Sequence, residues 1–166
     1  MKKYELTTEC KEFLGRKLYR IKALINFSNI KKGDLGGWIE KEENLSQEGN
    51  AWVYGDATVY DNAKVYGDAW VYGNARVFGN AEIKKKTHLL EIGFIGSRND
   101  VTTFFRTKNK EIFVKCGCFN GNIDEFEKQV QKVHGDDKHG RVYALAIAMA
   151  REQIAPDDED VEAEDE

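Results

Sequence analysis

The side chains of this sequence best suited to chemistry are three histidines, His88, His134 and His139, and three cysteines, Cys10, Cys116 and Cys118. Imidazole serves acid–base catalysis near neutral pH, and thiolate serves nucleophilic attack or metal ligation. The spacing favours neither. Cys116 and Cys118 lie two apart in the strand-like run EIFVKCGCF, so they face the same way, in register with Ile112 and Val114, and read as small core residues. An odd set of three cysteines without a Cys-x-x-Cys pair argues for reduced thiols rather than a disulfide framework or a zinc site. The stretch HGDDKHGR holds two histidines and two aspartates, but Lys138 and Arg141 stand among them, and a polar turn between helices accounts for it. The expectation is no catalytic residue, no metal and no cofactor.

Anion binding is better supplied. Ser97, Arg98 and Asn99 follow Gly96 between two predicted strands, Asn120 precedes a predicted helix start, and Lys138, His139 and Arg141 lie at the junction of two predicted helices. Backbone amides at a helix start and a nearby guanidinium are the usual means of holding phosphate. These seven are the candidate ligand-binding residues, for a small anionic ligand such as a cyclic or related nucleotide. Trp52, Tyr54, Trp70 and Tyr72 form a second candidate surface, aromatic rather than charged, for assembly or stacking.

The elements that must position these groups begin with a repeat. From Asn50 to Ile83 the chain cycles through Ala, any residue, Val, aromatic, Gly, then Asp or Asn. Slot one is Ala51, Ala57, Ala63, Ala69, Ala75 and Ala81; slot three is Val53, Val59, Val65, Val71, Val77 and Ile83. Two apolar residues separated by one variable residue is strand alternation, with slots one and three inward and slots two and four outward. Gly-Asp and Gly-Asn then suit a tight corner. Strand and corner at period six predict a three-sided coil of eighteen residues, which stacks Trp52 over Trp70, Tyr54 over Tyr72 and Tyr60 over Phe78. Upstream, Ile39 and Leu45 fit slot one, while Lys41 and Gln47 break slot three, so rungs there are expected to be irregular.

The pattern resembles the hexapeptide repeat of left-handed parallel β-helices. It departs from the commonest version in its aromatic slot and in Asp61, which stands where the other complete units have Gly. With GDLGGW at Gly33–Trp38, the NAxVYG repeats and CGCF at Cys116–Phe119, most of the chain resembles a group of small hexapeptide-repeat proteins of phages and prophages. The resemblance implies a homotrimer, since such helices commonly assemble around a threefold axis. Hexapeptide acyltransferases usually draw a general base from a histidine in or beside the coils, and the coils here contain none.

The flanks complete a mainly β fold. LYRIKALINF, Leu18 to Phe27, reads as an edge or cap strand with one apolar face, and GDLGGW as a turn whose tryptophan plugs the first coil. HLLEIGFIGS, VTTFFRT and EIFVKCGCF predict an antiparallel meander. Asn122 and Glu125 have capping-box spacing before a helix with Ile123, Phe126, Val130 and Val133 on one face. RVYALAIAMAREQI is apolar nearly all round, which predicts a helix buried between two surfaces. The expected organisation is an N-terminal cap over 1–38, a left-handed β-helix over 39–86, a C-terminal βββαα unit over 87–155 and a disordered acidic tail over 156–166.

Charge and hydropathy narrow the partners. The formal charge of −4 conceals eight carboxylates and no base from Asp157 to Glu166, leaving 25 bases against 21 acids in residues 1–156. No apolar run is long enough to span a bilayer, and the first residues lack the apolar core of a signal peptide, so a cytoplasmic location in a bacterial host cell is expected. No dense basic stripe is present to hold double-stranded nucleic acid. The reading is of a non-catalytic trimeric binding protein of phage type, an anti-defence sponge for a nucleotide-derived signal. A structural or protein-interaction trimer is the alternative, and a hexapeptide acyltransferase a further one.

Overall fold

The computed structural model describes residues 1–154, and the acidic tail lies outside the described residues. The fold is mainly β, with several sheets and two C-terminal helices. Three strands precede the repeat: β1 (Tyr4–Phe13), β2 (Arg16–Ala23) and β3 (Leu35–Ile39). Leu14 and Gly15 join β1 to β2 with φ of 49° and 74°, the left-handed pair that matches strand twist in a two-residue hairpin. The repeat then yields six two-residue strands: β4 (Trp52–Val53), β5 (Thr58–Val59), β6 (Lys64–Val65), β7 (Trp70–Val71), β8 (Arg76–Val77) and β9 (Glu82–Ile83).

These short strands pair in parallel, β4 with β7, β5 with β8 and β6 with β9, each residue meeting the one eighteen positions on. The three sides and the eighteen-residue rung expected from the repeat are both present. All six slot-one alanines and all six slot-three aliphatics are at most 1% exposed, so two packed columns fill the coil. Asp61, with φ of 61°, takes the left-handed corner that Gly55, Gly67, Gly73 and Gly79 occupy in the other units. Its exception has a local support: the Asp61 amide donates to Glu40 Oε2 at 2.7 Å, and the Arg16 guanidinium holds the same carboxylate at 3.0 and 3.1 Å.

That carboxylate makes a pH-dependent contribution. Partial burial pushes the Glu40 carboxyl up, but the Asp61 amide and Arg16 outweigh it, and the net pKa lies below the ordinary 4.5. A carboxyl depressed in the fold stabilises it above the unfolded pKa and loses that contribution as pH falls through the folded one. Glu40→Gln is therefore expected to lower stability by about 1 kcal/mol at pH 7. The gap to the parent, read from urea midpoints, should narrow below pH 4.5, and a gap of constant size would refute the assignment.

The upstream rung differs from expectation. Ile39 pairs with Val59 and Leu45 bridges Val65, so both occupy slot three rather than slot one. The reason is two extra residues in the corner between Leu45 and Trp52, which change the offset from 18 to 20. Gln47, a break in the pattern, turns outward to the N-terminal strand: its Oε1 accepts from the Lys3 and Tyr4 amides and its Nε2 donates to the Tyr4 carbonyl. GDLGGW is a strand as well as a turn. β3 lies between β2 and β5, antiparallel to one and parallel to the other, and a Cβ on Gly37 would stand 2.7 Å from the Ala57 carbonyl oxygen.

LYRIKALINF is also corrected. β2 is an interior strand of the sheet ordered β1-β2-β3-β5-β8, and it buries both faces. Leu18 packs with Trp38 and Tyr60, whereas Ile21 and Ala23 join the coil core. A register irregularity against β3 between Arg20 and Lys22 lets both parities meet apolar neighbours.

The C-terminal unit has four strands where three were expected: β10 (Leu89–Ile95), β11 (Asp100–Arg106), β12 (Ile112–Cys116) and β13 (Phe119–Asn122), antiparallel in that order. The helices are α1 (Ile123–His134) and α2 (Lys138–Gln153). The α1 capping box forms as read, with the Glu125 amide donating to Asn122 Oδ1 at 2.9 Å, and the helix stops at Gly135. One sheet face, with Leu90, Phe104 and Val114, packs on Phe126, Val130, Tyr143 and Ile147 of the helices. The other turns Phe105 and Phe113 onto Phe78 of the coil.

The sheet, not α2, is thus the element between two surfaces. α2 buries Tyr143, Ala146, Ile147 and Ala150 but exposes Leu145 at 71% and Met149 at 52%, and Val133 of α1 is exposed as well. Among the described residues no helix is long and apolar enough to cross a membrane.

Candidate functional site

At one end of the C-terminal sheet, the β10–β11 turn, the β12–β13 turn and the two helices frame a solvent-open cavity of about 280 Å³. Phe119, Phe126, Val130 and Val133 form its apolar wall, while Ser97, Arg98, Asp100 and His134 supply polar groups. The tight turns that close the hairpins bring these groups to one end. Gly96 is required there: its φ is 78°, and a Cβ on it would overlap the Tyr143 hydroxyl.

Tyr143 forms the floor, with Cys116 Sγ 3.5 Å from its hydroxyl, and Thr102 Oγ1 donates to the same sulfur at 3.2 Å. Burial, then the neighbouring Cys116, raises the phenol well above its ordinary value, so at neutral pH it is a neutral hydrogen-bonding group. His134 Nδ1 lies 3.3 Å from Asp137 Oδ2. Asp137 also caps α2 by accepting from the Gly140 amide at 2.8 Å, the chief cause of its lowered pKa. The Arg98 guanidinium approaches Cys118 Sγ at 3.9 Å and makes no ion pair among the described residues. A cavity with apolar walls, a guanidinium outside any ion pair among the described residues, neutral donors and one lining carboxylate, Asp100, can hold a small molecule with a planar apolar part and an anionic group that meets Arg98.

The seven candidate ligand-binding residues do not all converge. Ser97 and Arg98 line the cavity. Asn99 is beside them at the exposed tip of the turn, with φ of 47°. Asn120 is exposed on β13 opposite Lys115. Lys138, His139 and Arg141 sit on the first turn of α2 outside the cavity, although the His139 ring is 5.6 Å from that of His134. Tyr143, Phe119 and Phe126 were not singled out as ligand-binding. The signal that bears on Tyr143 is a lone phenol at helical spacing from Ile147, Ala150 and Ile154. The cysteines separate: Cys116 is half-buried on β12, and Cys118 is exposed in the turn.

The aromatic face is divided. Trp52 is 1% exposed, enclosed by edge-on contacts with Tyr4 at 6.2 Å and Phe27 at 5.3 Å. The Tyr54 ring meets Trp70 edge-on at 5.4 Å, Lys86 Nζ lies 3.5 Å over Trp70, and Tyr72 is 37% exposed. Tyr60 and Phe78 stack as read, 5.2 Å apart and 8° from parallel, but under Phe13, Phe105 and Phe113. The aromatic slot therefore fastens the N-terminal hairpin and the C-terminal sheet to the coil of the same chain.

No family model matches this chain. A segment is 40% identical over 62 residues to the "Uncharacterized acetyltransferase YdcK" of Escherichia coli (strain K12), covering 32% of this chain. The chain spans about a fifth of that relative's length, 19%. This likeness supports a hexapeptide-repeat fold.

Of the histidines that an acyl transfer would draw on, His88 is buried where the coil meets the C-terminal sheet. Its Nε2 lies 2.9 Å from the Arg106 guanidinium and its Nδ1 3.3 Å from the Lys84 amide. His134 lies at the cavity mouth.

Proposed function

We propose that this protein is a non-catalytic binding scaffold that holds a small anionic ligand against the Phe119, Phe126 and Val130 wall, with Arg98 on its charge. The observation that carries the reading is the cavity itself, which joins an apolar wall to a guanidinium that makes no ion pair among the described residues, although the Asp100 carboxylate also lines it. In its full form the proposal is a left-handed β-helical homotrimer of phage type, acting in the host cytoplasm to sequester a nucleotide-derived defence signal. Parallel strands at an eighteen-residue offset support the β-helix, and the exposed Leu145 and Met149 offer an apolar surface for a second copy. Affinity rather than turnover would carry such a function.

Native mass spectrometry of protein purified from cells with an active nucleotide-signalling defence tests it. A trimer carrying added mass per subunit that is lost on denaturation supports the proposal, and Arg98→Gln should lower occupancy about tenfold. Bare protein from the same cells would favour a structural or protein-interaction role.

A second reading, hexapeptide acyltransferase, is favoured by the match to YdcK. His134 is the histidine with solvent access beside a cavity and would serve as its base. Acetyl transfer from acetyl-coenzyme A that disappears in His134→Gln would establish it, and equal background rates for parent and variant would remove it.

A further inference from the structure

A second concavity, of about 260 Å³, opens on the other side of Asp100 and Gly117, at the seam where the coil meets the C-terminal sheet. Asn74 and Arg76 come from the coil, and Phe94, Thr103 and Lys115 from the sheet. Arg76 points outward from β8, with its guanidinium 5.0 Å from the Phe13 ring, and makes no ion pair among the described residues. Lys115 donates to the Gly117 carbonyl. Burial, then the charge of Arg76, holds its ammonium below the usual value, as expected of two cations facing one space.

Asp100 is the acid lining this concavity, and its Oδ1 accepts from the Val101 amide. Glu91, on the neighbouring strand, is engaged by the Asn74 amide at 3.1 Å. At the rim stands Phe94, 71% exposed, a large apolar ring in water beside a charged pocket. A guanidinium fork and an ammonium that keeps donors beyond its bond to Gly117 together suit the three oxygens of a phosphate, and an exposed ring suits a planar group stacked on it.

We infer that Arg76 and Lys115, with Asn74 and Thr103, bind the oxyanion of a small phosphomonoester whose planar portion lies on Phe94. This site is separate from the Arg98 cavity and does not depend on the function proposed for it. Coil and sheet each contribute one cation, so the site exists only when the C-terminal unit is docked on the coil.

Calorimetric titration of the full chain with adenosine monophosphate and with inorganic phosphate tests the inference. Adenosine monophosphate should bind saturably and about tenfold more tightly than phosphate. Arg76→Gln and Lys115→Gln should each weaken both probes about tenfold or more, and Phe94→Ala should weaken only the nucleotide. Lys132→Gln, an exposed cation on α1 outside both concavities, should leave the titration unchanged. Failure of the nucleotide to saturate by about 10 mM, or parental binding in both cation variants, overturns the inference. So does binding lost in Arg98→Gln but kept in Arg76→Gln, which assigns the nucleotide to the neighbouring cavity. Should Arg76→Gln fail to fold for want of its contact with Phe13, Lys115→Gln and the exposed Phe94→Ala carry the test.

Discussion

Trp52→Ala is expected to lower the unfolding free energy by about 3–5 kcal/mol, the range for deleting a large ring from a packed interior. Trp52 sits outward on its rung, yet is 1% exposed because Tyr4 and Phe27 close over it. Alanine would leave a void that β1, tied down by its hydrogen bonds to Gln47, cannot collapse to fill. Tyr72→Ala, at the exposed end of the same face, should lose less than about 1 kcal/mol. Urea unfolding of the two variants measures the contrast. Similar losses in both would mean that the rings do not differ in burial, and would refute the assignment of Trp52 to the chain's own interior.

That contrast marks where the sequence stops being legible. A six-residue period determines which residues point into the coil, because alanine and valine recur at fixed slots and each slot has one direction. What covers the outward slots is not a property of the period. Trp52 and Trp70 are equivalent in the repeat, and the return of Tyr4 and Phe27 onto the first, against Tyr54 and Lys86 on the second, makes them differ. The same limit explains Ile39 and Leu45. Their spacing of six is right, but the two extra residues beyond Leu45 are hidden in a corner held by the Lys3 ammonium and by the bonds of the Gln47 side chain to the backbone of Lys3 and Tyr4.

In the C-terminal unit, the α1 cap was legible because Asn122 and Glu125 interact locally. The fourth strand was not, since Phe119–Asn122 is short and holds two Asn and a Gly where strands favour β-branched residues. The candidate cavity shares that difficulty. Arg98 announced itself by type, whereas Phe119, Phe126 and Tyr143 look like ordinary core residues until the turns bring them to one end.

Lys3→Met should destabilise the fold by about 2 kcal/mol and alter its response to alkali. Lys3 is 2% exposed, and its ammonium donates to the carbonyls of Glu48 at 3.3 Å, Gly49 at 3.4 Å and Ala51 at 2.9 Å, pinning the enlarged corner that sets the rung offset. Methionine fills similar space but leaves the buried Ala51 bond unmade. Burial pushes the ammonium down from the ordinary 10.5 to about 8. Between those values the unfolded chain holds the proton that the folded protein has released, so this group makes stability rise with pH, by at most about 1.4 kcal/mol per unit. Tyr4 acts in the opposite sense above its ordinary value of 10.0, because burial raises its phenol and the unfolded chain loses that proton first. The rise is therefore confined to pH 8–10. Lys11 and Lys115, also lowered by burial, leave a residual slope in the variant. Urea midpoints across this window should climb more steeply in the parent than in Lys3→Met. Equal slopes would show that the three carbonyls hold the ammonium charged through the whole range, and that burial does not govern its titration.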